Sequence, residues 1–443
     1  MCNFPRENSH IALFYSGFIS NGLFSYAMFS IPKSANAREA AYLAALHTGE
    51  GGRFAAEMLD QWQCDASPSL VDAQLARRIG YGTIQMTLSL DYLAVQLTER
   101  KHLKLKRKEQ TLLQTALYQL FFMERLPAYA IGNETMRLAK KYCQPHFANF
   151  LNALLRRYEI SPPTLPIGDS EKACSLRYSY PQYFVRMLKN EHTEFESLLQ
   201  LGNKPATLMV RLRNGSMPNG WASVVDGPLC VAIPSPETDL KELGSHPKYY
   251  IQNATQAKLL NYLSSVSPVP KTVMDLCAAP GGKLIAAHDL YPEAKLYAND
   301  VSARRLHKVK ENLHKYAIQA ECSVGDGEAL QTSHSFDLVI VDAPCSNSGV
   351  LNKRPEARWR LTPEQIDTLN QDQFKLIKAA SELITDEGTI WYITCSILNK
   401  ENEQLVAHAC EQLGLEQIGQ SLLILPNSQG SDGGFGCALK KVK

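Results

Sequence analysis

Two cysteines that lie fifty residues apart are the residues best suited to chemistry in this chain. Cys345 follows the apolar run at 336–341 and the acidic residue Asp342, and Cys395 follows the apolar run at 389–393. Each run has the length and composition of a buried parallel strand. Because ligands collect at the carboxyl ends of the strands in an open α/β sheet, we expect both thiols and the Asp342 carboxylate to face one crevice.

Two thiols beside one carboxylate are the groups that methylation of a cytosine ring at carbon 5 would require. Attack of a thiolate on carbon 6 makes carbon 5 nucleophilic and divides one difficult step into easier ones. An acid at nitrogen 3 would stabilise the charge that moves onto the ring, and a base would then remove the proton from carbon 5. Single cysteines usually belong to cores, and we assign Cys277, Cys322, Cys410 and Cys437 to that class.

A third strand-like run, at 273–276, leads into a loop that suits a bound cofactor. The loop is Cys277-Ala278-Ala279-Pro280-Gly281-Gly282-Lys283. Its glycines let the backbone approach a ligand closely, and the helix that follows offers free N–H groups. The glycine spacing of a dinucleotide fingerprint or of a P-loop is lacking.

Acidic residues follow the next two strands, Asp300 after the first and Asp326 after the second. An acid at the position of Asp300 is suited to accept hydrogen bonds from ribose hydroxyls. A nucleoside site without a pyrophosphate site favours S-adenosylmethionine over a nicotinamide cofactor. In the alternative interpretation, Pro-Gly-Gly is only a tight turn and each aspartate is a helix cap.

The elements that must position these groups form a predicted α/β domain at residues 266–443. Helical stretches separate predicted strands at 273–276, 295–298, 321–324, 336–341 and 389–393. This alternation predicts a parallel sheet covered on both faces. The segments 421–425 and 434–439 predict an antiparallel hairpin at the edge of that sheet.

The N-terminal half of the chain has a different pattern. Residues 37–160 are predicted to form an all-helical domain. Its clearest apolar stripe consists of Phe147, Phe150, Leu151, Leu154, Leu155 and Tyr158, and Pro145 suits the first turn of that helix. A proline-rich linker at 161–175 precedes a small α+β module at 176–265, with a helix at 182–199 and strands at 207–212 and 228–233.

The composition indicates a globular protein of several domains. The chain has 443 residues, 45% of them hydrophobic and 20% charged, and its net charge of +2 requires any nucleic-acid surface to be local. Eleven cysteines without a CxxC pair predict reduced thiols and no metal site. The reduced thiols favour the cytoplasm, and we expect a monomer. Serines, an asparagine and a glycine interrupt the apolar stretch at 11–31, so we expect no membrane segment. Residues 1–36 are an extension of uncertain order, and translation starts either at Met1 or at Met28.

Three motifs together resemble the RNA cytosine-C5 methyltransferases of the NOL/NOP/Sun group. They are the segments 275–283, 341–346 and 392–396, and Arg354-Pro355, Trp359 and Glu401-Asn402-Glu403 also match. The helical domain resembles a NusB-type RNA-binding domain in the segments 116–120, 127–130, 133–134 and 150–157. The combination is similar to the Sun (Fmu, RsmB) type, which methylates small-subunit ribosomal RNA in bacteria.

The resemblance implies an all-α NusB-like N-terminal bundle, a small α+β middle module and a Rossmann-like class I methyltransferase domain. It further implies that Cys395 is the nucleophile and that Cys345 assists proton removal and product release. Cys277 to Lys283, Asp300, Asp326 and Asp342 would contact S-adenosylmethionine or the target base. The chain departs from the family pattern at Leu284, where threonine is common, at Asn347, where glycine is common, at Asn253, where aspartate is frequent, and at Glu387-Gly388, which replaces a Gly-Gly turn.

Basic residues suggest where RNA would bind. The run at 100–108 is the densest, and beside an RNA-modifying site we expect it to bind phosphates. Lys353, Arg354, Arg358 and Arg360 follow Cys345 and would guide the strand toward it, with the target cytosine unstacked. Two alternatives are a non-catalytic RNA-binding factor with a degenerate methyltransferase domain, and an enzyme acting on transfer RNA instead of ribosomal RNA.

Overall fold

The computed structural model of this protein describes residues 29–49, 54–98, 100, 102–213 and 216–442. They form two compact units. The first contains the described residues up to Pro205 together with the short segment 354–360, and the second contains those of 206–353 and 361–443. Most of the apolar stretch at 11–31 and the alternative start at Met28 lie outside the described residues, so the predicted extension is described only from residue 29.

The described residues of the first unit form ten helices. These are α1 (Ala37–His47), α2 (Ala55–Ala66), α3 (Leu70–Gln85), α4 (Thr87–Thr98), α5 (Arg107–Phe122), α6 (Ala128–Tyr142), α7 (Pro145–Ile160), α8 (Glu171–Tyr178), α9 (Gln182–Glu191) and α10 (Phe195–Leu201). Helix α7 begins at Pro145, whose missing N–H would have no partner in a first turn. Phe147, Leu151 and Leu154 of the predicted stripe are buried in the core of this unit, as their spacing predicted.

A segment from the C-terminal half of the chain, residues 354–360, is packed inside the first unit. Trp359 is part of its apolar core and donates a hydrogen bond from Nε1 to the carbonyl of Ile84 at 2.9 Å. The carboxylate of Glu356 accepts a hydrogen bond from the backbone N–H of Ala55 at 2.9 Å. A short run that the sequence placed in the α/β domain therefore stabilises the helical unit.

The second unit contains both sheets found in the described residues and six helices. Its strands are β1 (Val210–Leu212), β2 (Ala222–Val225), β3 (Val231–Ile233), β4 (Tyr249–Ile251), β5 (Thr272–Asp275), β6 (Lys295–Asp300), β7 (Glu321–Val324), β8 (Phe336–Asp342), β9 (Ile384–Thr394), β10 (Leu415–Ile424) and β11 (Gly434–Lys441). Its helices are α11 (Leu240–Ser245), α12 (Ala254–Val266), α13 (Gly282–Leu290), α14 (Ala303–Lys315), α15 (Pro363–Leu383) and α16 (Glu403–Leu413).

The larger sheet has seven strands in the order β10-β11-β9-β8-β5-β6-β7. Strand β5 pairs in parallel with β6 on one side and with β8 on the other, so the order reverses between β5 and β8. In open α/β sheets a ligand crevice lies outside the carboxyl ends of the strands at this reversal. The predicted hairpin forms. Of its two strands, β10 is at an edge of the sheet, whereas β11 lies inside the sheet between β9 and β10.

Alternate residues of the strands enter two separate apolar cores, one on each face of the larger sheet. Val273, Leu338 and Ile340 belong to one core, while Met274 and Val339 belong to the other. Successive side chains of a strand point to opposite faces, so nearly continuous apolar strands are needed when both faces are covered. The predicted two-sided parallel sheet is confirmed.

The predicted middle module at 176–265 is divided between the two units. Its helical part forms α9 and α10 of the first unit, with a break at 192–194 where one helix was predicted. Its strands belong to a four-stranded sheet of the second unit, in the order β2-β3-β1-β4. Strands β2 and β4 were not predicted, because most of their residues are exposed or half-buried and they lack the apolar run that marks β1 and β3. No helix among the described residues has both the length and the apolar composition needed to cross a bilayer.

Candidate active site

The loop at 277–283 joins β5 to α13 at the carboxyl end of the larger sheet. Gly281 has a φ of +103°, a conformation that side chains with a Cβ rarely adopt, and it caps the first turn of α13. A Cβ on Gly282 would lie 2.7 Å from the Tyr250 hydroxyl. Glycine is therefore required at 281 by the backbone conformation and at 282 by the lack of space for a side chain beside Tyr250.

Asp300 supports this loop from the end of β6. Its carboxylate accepts hydrogen bonds from the backbone N–H groups of Ala279 at 3.2 Å and Ser302 at 3.0 Å, and it pairs with Arg305 at 3.2 Å. Asp300 is 1% exposed, so these contacts are part of the folded site. Its predicted contact with a ribose stays a prediction.

Asp326 has a local partner at the end of β7. It is exposed, and its carboxylate accepts a hydrogen bond from the backbone N–H of Glu328 at 3.0 Å at the start of a single 3₁₀ turn. This is the capping role that the alternative interpretation gave it. A contact of Asp326 with the cofactor stays a prediction.

A pocket of about 220 Å³ opens beside the loop, entirely within the second unit. Its lining includes five of the seven predicted loop residues, Ala278, Ala279, Pro280, Gly282 and Lys283, together with Asp342. It also includes residues outside the predicted set, namely Tyr250, Ile251, Gln252, Asn253, Gln256, Lys353 and Asp432. Cys277 and Gly281 are not in the lining. Burial and nearby acids raise the pKa of Cys277 to about 12. The predicted contact of Cys277 with the cofactor stays a prediction.

Lys283 and Asp342 bring the loop and the end of β8 together. The ammonium Nζ lies 2.5 Å from Asp342 Oδ2, so the loop that lines the pocket is bonded to the predicted catalytic acid. Burial, together with the negative charge of Asp342, raises the pKa of Asp275 to about 7. Three predicted features, the loop, the strand end and the acid, thus meet at the reversal between β5 and β8.

The two thiols meet at the ends of β8 and β9. Asp342 is in register with Ile393 in this parallel pair, so the chain leaves both strands at the same level. The Sγ atoms of Cys345 and Cys395 lie 2.8 Å apart. The hydrogen bond with Cys395, followed by burial, raises the pKa of Cys345 well above its ordinary value. Cys345 was expected outside the core, yet it is only 9% exposed, whereas Cys395 is half-buried.

Asn347 is a site residue that the sequence presented only as a departure from the family pattern. Its φ of +59° is left-handed, which glycine and asparagine tolerate better than other residues. Its side-chain Nδ2 donates to the carbonyl of Cys345 at 2.9 Å, and its Oδ1 lies 3.3 Å from Cys395 Sγ. Asparagine therefore satisfies the backbone requirement and adds contacts with both cysteines.

Asn253 is a second such departure with a structural role. It caps α12, and its Oδ1 accepts hydrogen bonds from the backbone N–H groups of Thr255 at 3.1 Å and Asp432 at 2.9 Å. Lys353 pairs with the carboxylate of Asp432 at 2.6 Å. Asparagine and lysine thus fix one wall of the pocket, a role that only the tertiary contacts of the second unit reveal.

The expectation that Arg358 guides RNA is wrong. Arg358 is fully buried in the first unit, where its guanidinium donates to the carbonyls of Gln85, Ser179 and Gly202 and to the side-chain oxygen of Asn203. A basic side chain without solvent exposure has no access to a phosphate. Arg354 and Arg360 are exposed, and the guanidinium of Arg360 lies 4.7 Å from the ring centre of Phe54.

The pocket has the chemical groups that S-adenosylmethionine requires. The first turn of α13 offers backbone N–H groups and Lys283 an ammonium, both suited to a carboxylate. The absence of a Cβ at Gly282 keeps the backbone open beside Tyr250, and Asn253 and Gln256 add polar groups to the wall. The residues present therefore fit this cofactor.

Comparison with known proteins matches both halves of the chain. Residues 266–436 match the family model described as 16S rRNA methyltransferase RsmB/F, and residues 35–159 match the NusB family. Relatives named ribosomal RNA small subunit methyltransferase B include that of Klebsiella pneumoniae, 27% identical over 85% of this chain and 89% of the relative. The protein of the same name from Escherichia coli is 26% identical over 92% of this chain and 99% of its own length.

Solved structures show the same fold. The crystal structure of PH0851 has a TM-score of 0.74 at 21% identity and covers 93% of this chain and 100% of that one. A methyltransferase homolog protein from Pyrococcus horikoshii has a TM-score of 0.52 at 20% identity, covering 62% of this chain and 100% of that one. The predicted helical and Rossmann-like architectures are confirmed. The chain is thus an S-adenosylmethionine-dependent methyltransferase whose residues 266–436 form a domain of the 16S rRNA methyltransferase RsmB/F family and whose residues 35–159 form a NusB-family domain.

Proposed function

We propose that this protein transfers a methyl group to carbon 5 of a cytosine in small-subunit ribosomal RNA through a covalent bond to Cys395. The 2.8 Å separation of the Cys345 and Cys395 sulfurs, at the ends of adjacent parallel strands, carries this proposal. Asp342 ends the same strand that leads to Cys345 and lines the pocket described above. The names of the relatives support ribosomal RNA as the substrate.

In the first step Cys395 forms a bond from Sγ to carbon 6 of the ring. The pKa of Cys345 lies well above its ordinary value, so Cys345 stays protonated near neutral pH. Cys395 gives its proton to solvent and attacks as the thiolate. Asp342, held by Lys283, shares a proton with nitrogen 3 of the ring in a hydrogen bond, and this proton stabilises the negative charge that moves onto the ring. The 278–283 loop would hold S-adenosylmethionine, which would supply the methyl group for carbon 5 and leave as S-adenosylhomocysteine.

In the second step Cys345 removes the proton from carbon 5. The strongest cause of its raised pKa is the hydrogen bond with Cys395, and this interaction ends when Cys395 is bonded to the ring. Loss of this hydrogen bond removes the largest cause of the raised pKa of Cys345, while its burial remains. Cys345 gives its proton to solvent, and the resulting thiolate accepts the proton of carbon 5. The electrons of that C–H bond restore the ring double bond, and the bond from Sγ of Cys395 to carbon 6 breaks, which releases the product.

Substitution of each thiol tests this mechanism separately. Cys395→Ala is expected to abolish 5-methylcytosine formation, measured by bisulfite sequencing of the RNA. Cys345→Ala is expected to retain attack and to accumulate enzyme covalently bound to RNA, seen as a shifted band after denaturing electrophoresis. The half-buried Cys410 on α16 provides a matched control, and Cys410→Ala should behave like the wild type. Substantial methylation by the Cys395 variant, or free product from the Cys345 variant, would contradict the assigned roles.

RNA binding is proposed for the basic segment between α4 and α5. Leu103 and Leu105 pack against the core of the first unit, whereas His102, Lys104 and Lys106 between and beside them are exposed. This alternation anchors the segment and presents its cations on one side, as phosphate binding requires. We further propose that the protein acts in the cytoplasm as a monomer.

A further inference from the structure

A buried carboxylate, that of Glu401, lies behind the two thiols. Glu401 is fully buried and ends a 3₁₀ turn at Asn399–Glu401, just after β9. Its Oε1 accepts a hydrogen bond from the backbone N–H of Ser346 at 2.8 Å, and its Oε2 accepts one from the hydroxyl of Ser396 at 2.5 Å. Ser346 and Ser396 are the residues that directly follow the two cysteines, so one carboxylate holds both cysteine loops.

Three serine hydroxyls continue this connection between the loops. Ser346 Oγ lies 3.0 Å from Ser348 Oγ and 3.2 Å from Ser396 Oγ, and the last two are 3.0 Å apart. Ser348 Oγ also accepts from the backbone N–H of Ile397 at 2.9 Å. All three serines are buried, so water does not compete for these bonds.

Glu401 and its neighbour hold Cys395 from both sides. Asn402 accepts a hydrogen bond from the hydroxyl of Thr394 at 2.7 Å and donates one to the carbonyl of Ser396 at 3.0 Å. Gln373, on α15, donates from its amide to Glu401 Oε1 at 2.9 Å and to the carbonyl of Pro344 at 2.9 Å. The carboxylate therefore joins the ends of β8 and β9 to a helix that is fixed in the sheet core.

We propose that Glu401 is a positioning residue that sets the separation and orientation of the Cys345 and Cys395 sulfurs. The inference rests on the proposed function only in assigning both thiols to one reaction. Burying a carboxylate costs free energy unless hydrogen-bond donors satisfy it. An apolar side chain would avoid this cost but would not fix the positions of the two cysteine loops through hydrogen bonds. Since a misplacement of about 1 Å can slow a reaction about 100-fold, fixing both loops through one rigid group has a direct effect on rate.

Substitutions of Glu401 separate hydrogen bonding from charge. Glu401→Ala removes the acceptors of both loops and should lower kcat for methyl transfer about 100-fold, with KM for RNA little changed. Glu401→Gln retains one oxygen for Ser346 and Gln373 and places an NH₂ beside Ser396, whose hydroxyl turns to accept it, so most of the activity should be retained. Glu403, at the start of α16, is a nearby carboxylate that none of these contacts involve, and Glu403→Ala is the matched control.

A second measurement needs neither RNA nor methyl transfer. Phenylarsine oxide binds two close thiols at once, and its binding to the full-length protein reports the geometry of Cys345 and Cys395. The Glu401→Ala variant should bind it about tenfold more weakly than the wild type, because the effective concentration of the second thiol falls. Cys345→Ala, which has one of the two thiols, gives the baseline.

The outcomes are distinguishable. Absence of 5-methylcytosine with the wild-type enzyme would refute the proposed function. The binding of phenylarsine oxide would still test whether Glu401 positions the two thiols. Wild-type kcat and arsenical affinity in Glu401→Ala would refute the positioning role. The positioning role would also be refuted if the activity of Glu401→Ala fell only in proportion to its folded fraction, measured by circular dichroism. It would be refuted too if Glu401→Gln were as impaired as Glu401→Ala, since the negative charge rather than positioning would then be required.

Discussion

The burial of Arg358 makes a prediction that concerns the helical unit. Replacement by methionine keeps much of the side-chain volume and removes every donor. Four acceptors in the described residues then lose their partner, the carbonyls of Gln85, Ser179 and Gly202 and the amide oxygen of Asn203. The guanidinium also lies 4.2 Å from the ring centre of Tyr180, and this contact is lost as well.

The magnitude follows from these contacts. Each buried acceptor left without a donor costs about 1–3 kcal/mol, and the sum is reduced because a buried guanidinium no longer has to be desolvated. We therefore expect Arg358→Met to lower the free energy of local unfolding by about 3–5 kcal/mol. Arg358→Lys should fall between, because one ammonium does not reach four separate acceptors in the planar fork geometry of arginine.

Hydrogen exchange measured by mass spectrometry checks this on the full-length chain. Amides near Gln85, Ser179 and Gly202 should exchange faster by about two to three and a half orders of magnitude, since about 1.4 kcal/mol corresponds to a factor of ten. Arg125→Met, at an exposed position of the same unit, is the control. Unchanged exchange at these three places in Arg358→Met would refute the argument that this arginine is a structural residue of the helical unit.

Three further outcomes are expected. Asn347→Gly should keep most of the activity, whereas Asn347→Ala should lose about 1–2 kcal/mol of stability, because a Cβ strains the left-handed backbone and alanine lacks the local hydrogen bond of asparagine. Equal thermal melting of both variants would contradict this. The pKa of Asp275 is raised to about 7, so its folded form holds a proton that the unfolded form loses near pH 4. In denaturant titrations the stability difference between the wild type and Asp275→Asn should therefore shift against the wild type from pH 4 to pH 7; the same pH dependence in both proteins would argue against this burial effect. Lys104→Ala should weaken RNA binding and reduce the slope of log K against log salt by about 0.7–0.9, and an unchanged slope in filter binding would exclude Lys104 from phosphate contact.

Much of the candidate site was predictable because strand ends are visible in a sequence. Cys345, Cys395 and the 277–283 loop each follow an apolar run, and the rule for the carboxyl ends of parallel strands brings them together. The structure places Lys283 beside Asp342 and the two sulfurs 2.8 Å apart, as this rule leads one to expect. The cofactor roles of Asp300 and Asp326 depend on the partners of their side chains, and these partners cannot be read from the order of residues in the sequence.

Other features depend on contacts between distant parts of the chain. Arg358 looks like a surface cation in the sequence, and only the packing of 354–360 into the helical unit buries it. Glu401 belongs to a matched motif, but its hold on Ser346 and Ser396 arises from the way two loops meet. The short strands β2 and β4 form because neighbouring strands supply their hydrogen bonds.

The sequence by itself determined the two architectures, the presence of a parallel sheet and the identity of the groups at the strand ends, since hydrophobic periodicity and glycine placement act locally. Tertiary structure decided which polar groups meet, because hydrogen bonds and ion pairs depend on distances between residues far apart in the chain. That is why both thiols were predicted, whereas Asn347 and Glu401, which hold them in place, became evident only from the folded chain.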